Sequence, residues 1–405
     1  MKSELKRIVI VGASAAGVFT AEALRRHGFN GEIVVTGDEP PYDRPPLSKQ
    51  VLSGHWEPER ATLMPPARMA ALDAELLVNK RAVALNVADR SVSFADGSTL
   101  NYDALVVATG AQPRKLPGGR KGSVHVLRTI DDALTLREGI RKYGEVVVIG
   151  AGFIGLEVAS SAALLGARVK VVEPMVQPLA SRIGKHAASR LLRRHTEAGV
   201  DLKTGIGVRE LRADGADTVI ALTDGSELRS GCVLVGIGCV PGVDWLISSG
   251  LSIDNGLICD DYCMAGPNVW AAGDVARWYH AGLGRHLRIE HRTNAQEQGD
   301  VVARNILGAR TRFTPVPFFW SDQYEVKLQC AGLLPDDPED EGVLEDGNPE
   351  GASYLRAFYR GGELVGVLGW NAAKAMPGYR RRMNFDVLSP EVRVTDEVET
   401  MRSSR

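Results

Sequence analysis

Two glycine turns stand where a chain could grip a phosphate. Gly150, Gly152 and Gly155 follow the apolar run Glu145 to Ile149, and Gly12, Ser14 and Gly17 follow Arg7 to Val11. A pyrophosphate needs bare backbone N–H groups and the positive end of a helix. In such a turn the first glycine makes the bend, the second lets the backbone approach the phosphates, and the third lets helix and strand pack closely. Glu173, 23 residues beyond Gly150, can accept hydrogen bonds from both hydroxyls of an adenosine ribose. It would repel a 2′-phosphate, so NADH is expected over NADPH. The first turn departs from the pattern at Ser14, which adds a Cβ where close approach is wanted but brings a hydroxyl able to bond a phosphate oxygen. This turn too is expected to bind, with Asp38 as ribose ligand and Glu39 as second choice.

The elements that must hold these turns recur. Each turn is followed by an Ala/Leu-rich helical stretch, to about His27 and about Leu165, then by a strand, Glu32 to Thr36 and Arg168 to Val172, closed by an acid. These are βαβ units. Downstream, Ser91 to Phe94 leads through the hairpin signal Asp96-Gly97 to the apolar run Tyr102 to Gly110. Its counterpart runs from Val219 to Leu222 through Asp224-Gly225 to Cys232 to Gly238. From turn Asp to final Gly is 14 residues in both copies. The duplication predicts an α/β protein with two Rossmann-like domains.

Composition narrows the class. The 405 residues are 44% hydrophobic and 24% charged, with net charge −2 and pI near 6.5, which argues against a nucleic-acid binder. Residues Met1 to Arg7 carry charge and run straight into a strand, and the apolar run Val146 to Leu156 stops at Glu157, so no leader or membrane span is expected and the cytoplasm is the expected location. Five cysteines are too few for a disulfide framework. Cys259 and Cys263 lack a second Cys or His pair, so no metal site is expected.

The segment Pro41-Tyr42-Asp43-Arg44-Pro45-Pro46-Leu47-Ser48-Lys49 resembles the signature of oxygenase-coupled NADH:ferredoxin reductases. So do Ala108-Thr109-Gly110, Leu127-Arg128-Thr129, Trp270-Ala271-Ala272-Gly273-Asp274, Asn294-Ala295-Gln296-Glu297-Gln298 and Phe319-Trp320-Ser321-Asp322-Gln323-Tyr324, in family order. The resemblance implies a glutathione-reductase-like fold: an FAD domain in two segments (1–112 and 241–318), an NAD domain (113–240) and a C-terminal α/β interface domain (319–405). It assigns Gly12, Ser14, Ala15, Ala16, Gly17, Asp38 and Glu39 to the ADP half of FAD. Arg44, Ala82, Ala108, Thr109, Gly110, Arg128, Gly273, Asp274 and Arg292 lie elsewhere along that cofactor, with Lys49 near the flavin ring. Gly150, Gly152, Phe153, Ile154, Gly155, Glu173 and Gly238 fall to NAD. Glu157 would pair with Lys49 beside the nicotinamide, and Trp320 would cap the flavin or pass electrons to the partner. A reduced flavin carries negative charge, so a helix opened by Asn294 to Gln298 would stabilise it. Arg292 departs from the family, which commonly has Trp there.

Disulfide reductases of this fold carry a cysteine pair beside the flavin, whereas no cysteine precedes Cys232 here. Electrons are therefore expected to leave FAD directly, to a one-electron carrier, a quinone-like acceptor or dioxygen. The resemblance implies that the acceptor is an acidic [2Fe-2S]-type iron–sulfur ferredoxin that supplies a cytochrome P450 or dioxygenase. Docking is expected through Arg285, Arg288, Arg292, Arg380, Arg381 and Arg382. Rubredoxin or another acceptor, served by the same fold, is the first alternative. A non-catalytic NADH-sensing flavoprotein is the second.

Overall fold

A computed structural model describes residues 5–335 and 337–386. The valine-rich runs read as strands form two sheets buried on both faces, as parallel strands covered by helices must be. In the first sheet the order is Met264–Gly266, Val269–Ala271, Ala104–Val107, Arg7–Val11, Glu32–Thr36, Glu75–Leu77, all parallel except the first pair. In the second it is Asp201–Thr204, Arg168–Glu173, Glu145–Ile149, Val233–Val235, Val124–His125, parallel throughout. Each βαβ unit carries its antiparallel three-stranded meander: Ala82–Asn86, Ser91–Phe94 and Thr99–Asn101 in one, Val208–Asp214, Asp217–Leu222 and Glu227–Ser230 in the other.

The chain leaves the first unit through Ala111–Pro113 and comes back through Cys239–Pro241, and these strands pair antiparallel as a two-stranded bridge. The helix Ile130–Tyr143, which opens the second unit, is fixed at its start by a reciprocal Thr129–Asp132 capping box and stopped by left-handed Gly144.

From Phe318 the chain forms an antiparallel five-stranded sheet, ordered Phe318–Gln323, Val326–Gly332, Glu363–Trp370, Tyr354–Arg360, Val343–Gly347. The acidic stretch between Pro335 and Glu350 contains its exposed edge strand. Charge on such an edge discourages pairing with other chains. One hydrophobic cluster runs from Leu156 and Val158 of the second unit into Val367, Leu368 and Trp370 of this sheet, so the two are packed as one body of apolar side chains. The expected C-terminal domain extends past residue 386, beyond the described residues. No helix among the described residues is long and apolar enough to cross a membrane.

Candidate functional site

At the first turn Gly12 has φ +125°, and a Cβ there would collide with the carbonyl of Ala108. A Cβ on Gly17 would strike the oxygen of Gly12, so the helix Ala15–Arg26 can leave the strand this closely only with glycine at both places. Ser14 is the N-cap residue, but its hydroxyl makes no capping bond and no acid stands in the first turn. The helix end is therefore open to an anion. Gly273 closes the site from the other side, a Cβ there reaching within 2.9 Å of Ala16 Cβ.

Beside this end two cations converge. Arg128 lies 3.8 Å from Asp274, and Arg44 donates to Glu39 Oε1 (2.7 Å) and to the Arg128 carbonyl (2.6 Å). Burial, and then the Arg44 charge, weaken the hold of Arg128 on its proton. Burial pushes the Asp274 carboxyl up, against the pull of Arg128. Arg44 Nε is buried with no partner. Glu39 is turned to Arg44 and Tyr42, whereas Asp38 stays partly exposed at the sheet's end with Arg81 on its Oδ2. Ala82 sits next to Arg81 at the start of the first meander. Thr109 Oγ1 donates to the Gly242 carbonyl (2.7 Å), which ties the Ala108-Thr109-Gly110 turn to the returning chain.

The second turn repeats the geometry. Gly150 has φ +105° and packs on Gly236, and Gly155 packs on Gly150. Gly152 caps the helix Phe153–Leu164, with open space where a Cβ would point and no acid in the first turn. Glu173 is buried: Oε2 accepts from Ala151 N (2.8 Å) and Oε1 from Met175 N (2.9 Å), so the acid also braces the loop from behind. Ile154 is half exposed at the helix start, and Gly238 has open space beside it.

On the helix that the second turn opens, three parts of the chain meet at Glu157. This carboxylate is 3% exposed and takes Lys49 Nζ (2.6 Å) and Ser48 Oγ (2.5 Å) on Oε2, and Ser321 Oγ (2.6 Å) on Oε1. Lys49 follows the Pro45–Ser48 turn, whose prolines restrict the backbone, and its ammonium also donates to the Pro45 carbonyl (3.1 Å). Phe319 packs between Phe153 and His291, each ring centroid 5.1 Å away.

The helix Arg292–Ile306 begins here, two residues before the expected Asn294. Gln298 lies inside it, accepting from Gly273 N (2.8 Å) rather than opening it. The helix has no side-chain cap, and near it His291 Nδ1 and Asn294 Oδ1 are buried without partners. Burial pushes His291 down to about 4.

Open helix ends, glycine cradles and orphaned polar atoms at Arg44, His291 and Asn294 fit an extended dinucleotide such as FAD on the first unit. When bound there, FAD would be held by the first turn, Arg128, Asp274 and the start of the Arg292–Ile306 helix.

Several sequence expectations meet a different geometry. Strand alternation that turns Ser321 and Gln323 toward Glu157 turns Trp320 the other way, beside Phe318 (6.1 Å), so the aromatic next to the second turn is Phe319. Arg292 points inward to Asp43 (2.6 Å) and over Phe19. Arg288 holds Glu290 (2.6 Å), and Arg380 holds Glu297 (2.7 Å). Each of these three is held in an ion pair with an acid of this chain. Arg285 is partly buried on the strand Arg285–Leu287, whereas Arg381 and Arg382 are exposed at the end of the helix Met376–Arg382. Cys259 and Cys263 are buried thiols, burial pushing Cys263 up to about 12, and Cys263 Sγ accepts from Gln298. Sequence reasoning gave no role to Ser48, Ser321, Gln323, His195 or Phe319. The period-two alternation of Phe319 to Gln323 was the available signal for three of them; His195 left none.

Known proteins resemble the chain over most of its length. A model of the pyridine nucleotide-disulphide oxidoreductase family matches residues 6–299, and one described as reductase C-terminal matches residues 318–404. Rhodocoxin reductase of Rhodococcus erythropolis is 36% identical over 396 residues, covering 96% of this chain and 91% of its own. Rubredoxin-NAD(+) reductase of Ectopseudomonas oleovorans is 35% identical over 336 residues, 81% of this chain and 87% of its own. The solved covalent complex of putidaredoxin reductase with putidaredoxin superposes with TM-score 0.84 at 31% identity, covering 93% of this chain and 92% of that one.

Proposed function

The chain belongs to the pyridine nucleotide-disulphide oxidoreductase family, and on that premise we propose that it is an FAD-dependent NADH:ferredoxin reductase serving an oxygenase. The proposed division is that read from sequence (1–112 with 241–318, 113–240 and 319–405), and the pairing of Ala111–Pro113 with Cys239–Pro241 beside two of these boundaries supports it. FAD, when bound, supplies the passage from a two-electron donor to a one-electron acceptor. The rest is the work of the chain. The open end of the helix Phe153–Leu164 holds the NADH pyrophosphate, and Glu173 holds the ribose while keeping the loop in shape. The observation that carries the reading is the buried Lys49–Glu157 pair at 2.6 Å, with Glu157 on the helix that the second nucleotide turn opens. It holds a cation where negative charge develops, paired so that it is not left bare.

Arg381 and Arg382 are exposed at the end of the helix Met376–Arg382, next to Arg380, which lies over the Phe318 ring, and Arg382 lies over Tyr379 (5.0 Å). They are the docking cations for an acidic iron–sulfur partner. Rubredoxin as acceptor is the second reading, favoured by the relative of that name.

Anaerobic titration of the purified protein with NADH, followed by flavin absorbance, tests the first half. About one NADH per FAD bleaches the flavin if the reading holds, with no second thiol centre consuming more. Absence of bound flavin, or reduction by NADPH alone, overturns it. For the second half, rising salt slows ferredoxin turnover and spares a small acceptor, and Arg381→Glu with Arg382→Glu does the same. An equal salt response in both assays refutes docking through these cations.

A further inference from the structure

Behind Glu157 a line of side chains leads away from Lys49. Ser321 Oγ donates to Glu157 Oε1 (2.6 Å) and accepts from Gln323 Nε2 (3.0 Å). Gln323 Oε1 lies 2.8 Å from His195 Nε2, and His195 Nδ1 lies 3.1 Å from the Tyr324 hydroxyl. Ser321, Gln323 and His195 are each no more than 1% exposed, so water cannot replace a missing member cheaply.

The chemistry of each group fixes the sense of the line. Amide oxygen only accepts, so His195 Nε2 carries the proton and Nδ1 is left to accept from Tyr324. The amide N–H then meets the lone pair of Ser321, and the single hydroxyl proton of Ser321 is left for the carboxylate. Every donor points at Glu157. Hydrogen bonds aligned head to tail in a dry interior polarise one another. The line also crosses the molecule: Lys49 belongs to the first unit, Glu157 and His195 to the second, and Ser321, Gln323 and Tyr324 to the C-terminal sheet.

We propose that Gln323 and His195 are positioning residues, which hold the Glu157 carboxylate aimed at Lys49 through a one-way chain of donors across all three units. The inference rests on the function proposed above, in which Lys49 and Glu157 serve hydride transfer from NADH. The charged or titratable groups that face the chain are Lys49 at one end, and at the other Tyr324 with Arg194 and its partner Glu325. Burial keeps His195 below its ordinary range and pushes Tyr324 up to about 12, so each stays neutral near neutral pH.

The rate of flavin reduction by NADH, measured by stopped flow between about pH 5.5 and 9, separates the possibilities. The natural protein gives a flat profile. Gln323→Leu and His195→Leu leave Ser321 free to turn away, so the carboxylate loses its aim at Lys49 and the rate drops about tenfold across the range. His195→Gln keeps a donor to Gln323 and restores the rate. Unchanged rates in both leucine variants overturn the proposal, even if those variants are less stable. Ring-nitrogen NMR of histidine-labelled protein gives a reading independent of turnover. His195 shows the neutral Nε2–H form throughout that range, and Gln323→Leu mixes its tautomers. A His195 that titrates near the ordinary value in the natural protein overturns the proposal. A natural protein that retains flavin but is not reduced by NADH refutes the proposed function instead, and leaves the NMR result to decide the chain.

Discussion

At Glu157 three donors converge on one carboxylate that water barely reaches, and Lys49, 2.6 Å away, makes an ion pair with it. Burying such a pair brings little net stability, but removing one partner strands the other. Lys49→Met is therefore expected to lower unfolding stability by about 3–5 kcal/mol in urea titration, and Lys49→Met with Glu157→Leu to recover most of it. Additive losses in the double variant would show that the two residues do not act as a pair. The partners are 108 residues apart in sequence. Their residue types were legible, Lys49 after a rigid Pro-Pro-Leu turn and Glu157 as an acid in an apolar helix. The Ser48 and Ser321 bonds were not, because serine on a strand or turn carries no sign of what it will face.

The two glycine turns are the elements that the sequence specified most fully. Strand, turn and helix recur at matching offsets, each unit closed by an acid, and the strands Arg7–Val11, Glu32–Thr36 and Glu145–Ile149 begin and end where the apolar runs do. The third glycine of each turn is set by contact with the first, so Gly17→Ala forces the helix Ala15–Arg26 away from Gly12. That variant is expected to lose its flavin on gel filtration. Ser14→Gly is expected to retain flavin with affinity changed by no more than about threefold, because in the matching second turn the Cβ direction at Gly152 is empty. A loss of flavin in Ser14→Gly would mean that the serine hydroxyl is itself a principal ligand. The C-terminal sheet was less legible: the run from Pro335 to Glu350 is acidic throughout, and its strand Val343–Gly347 is an exposed edge with no buried face to impose alternation.

Across the whole molecule, the second unit is bolted to the C-terminal sheet. Arg190, on the helix Lys185–Glu197, lies over the rings of Trp370 (4.4 Å) and Tyr354 (5.6 Å), and bonds the carbonyls of Pro349 and Gly351. Buried histidines lie along these joints: His195 and His291, with His280 against Phe385. Burial lowers all three from 6.5, His291 to about 4. The unfolded chain then binds protons that the folded one refuses, so stability is full above the unfolded value and falls as the pH drops from about 6.5 toward 4. Thermal unfolding at pH 7 and pH 5 is expected to show this loss, and His291→Gln to reduce it. An unchanged midpoint would mean that these rings are protonated in the folded state.

The sequence by itself determined the two βαβ units, their glycine turns and their closing acids, because strand, turn and helix are local and a phosphate grip is built from consecutive backbone N–H groups. It also determined which side chains were candidates for chemistry. The tertiary structure alone decided which of them meet: Glu157 with Lys49 and Ser321, His195 with Gln323, and Arg292 with Asp43 rather than with solvent. It also decided that Trp320 turns away from Glu157 while Phe319 packs against the second turn. Such contacts depend on how separate units pack their faces together, and a side chain's partner across an interface leaves no mark on its own neighbours in sequence.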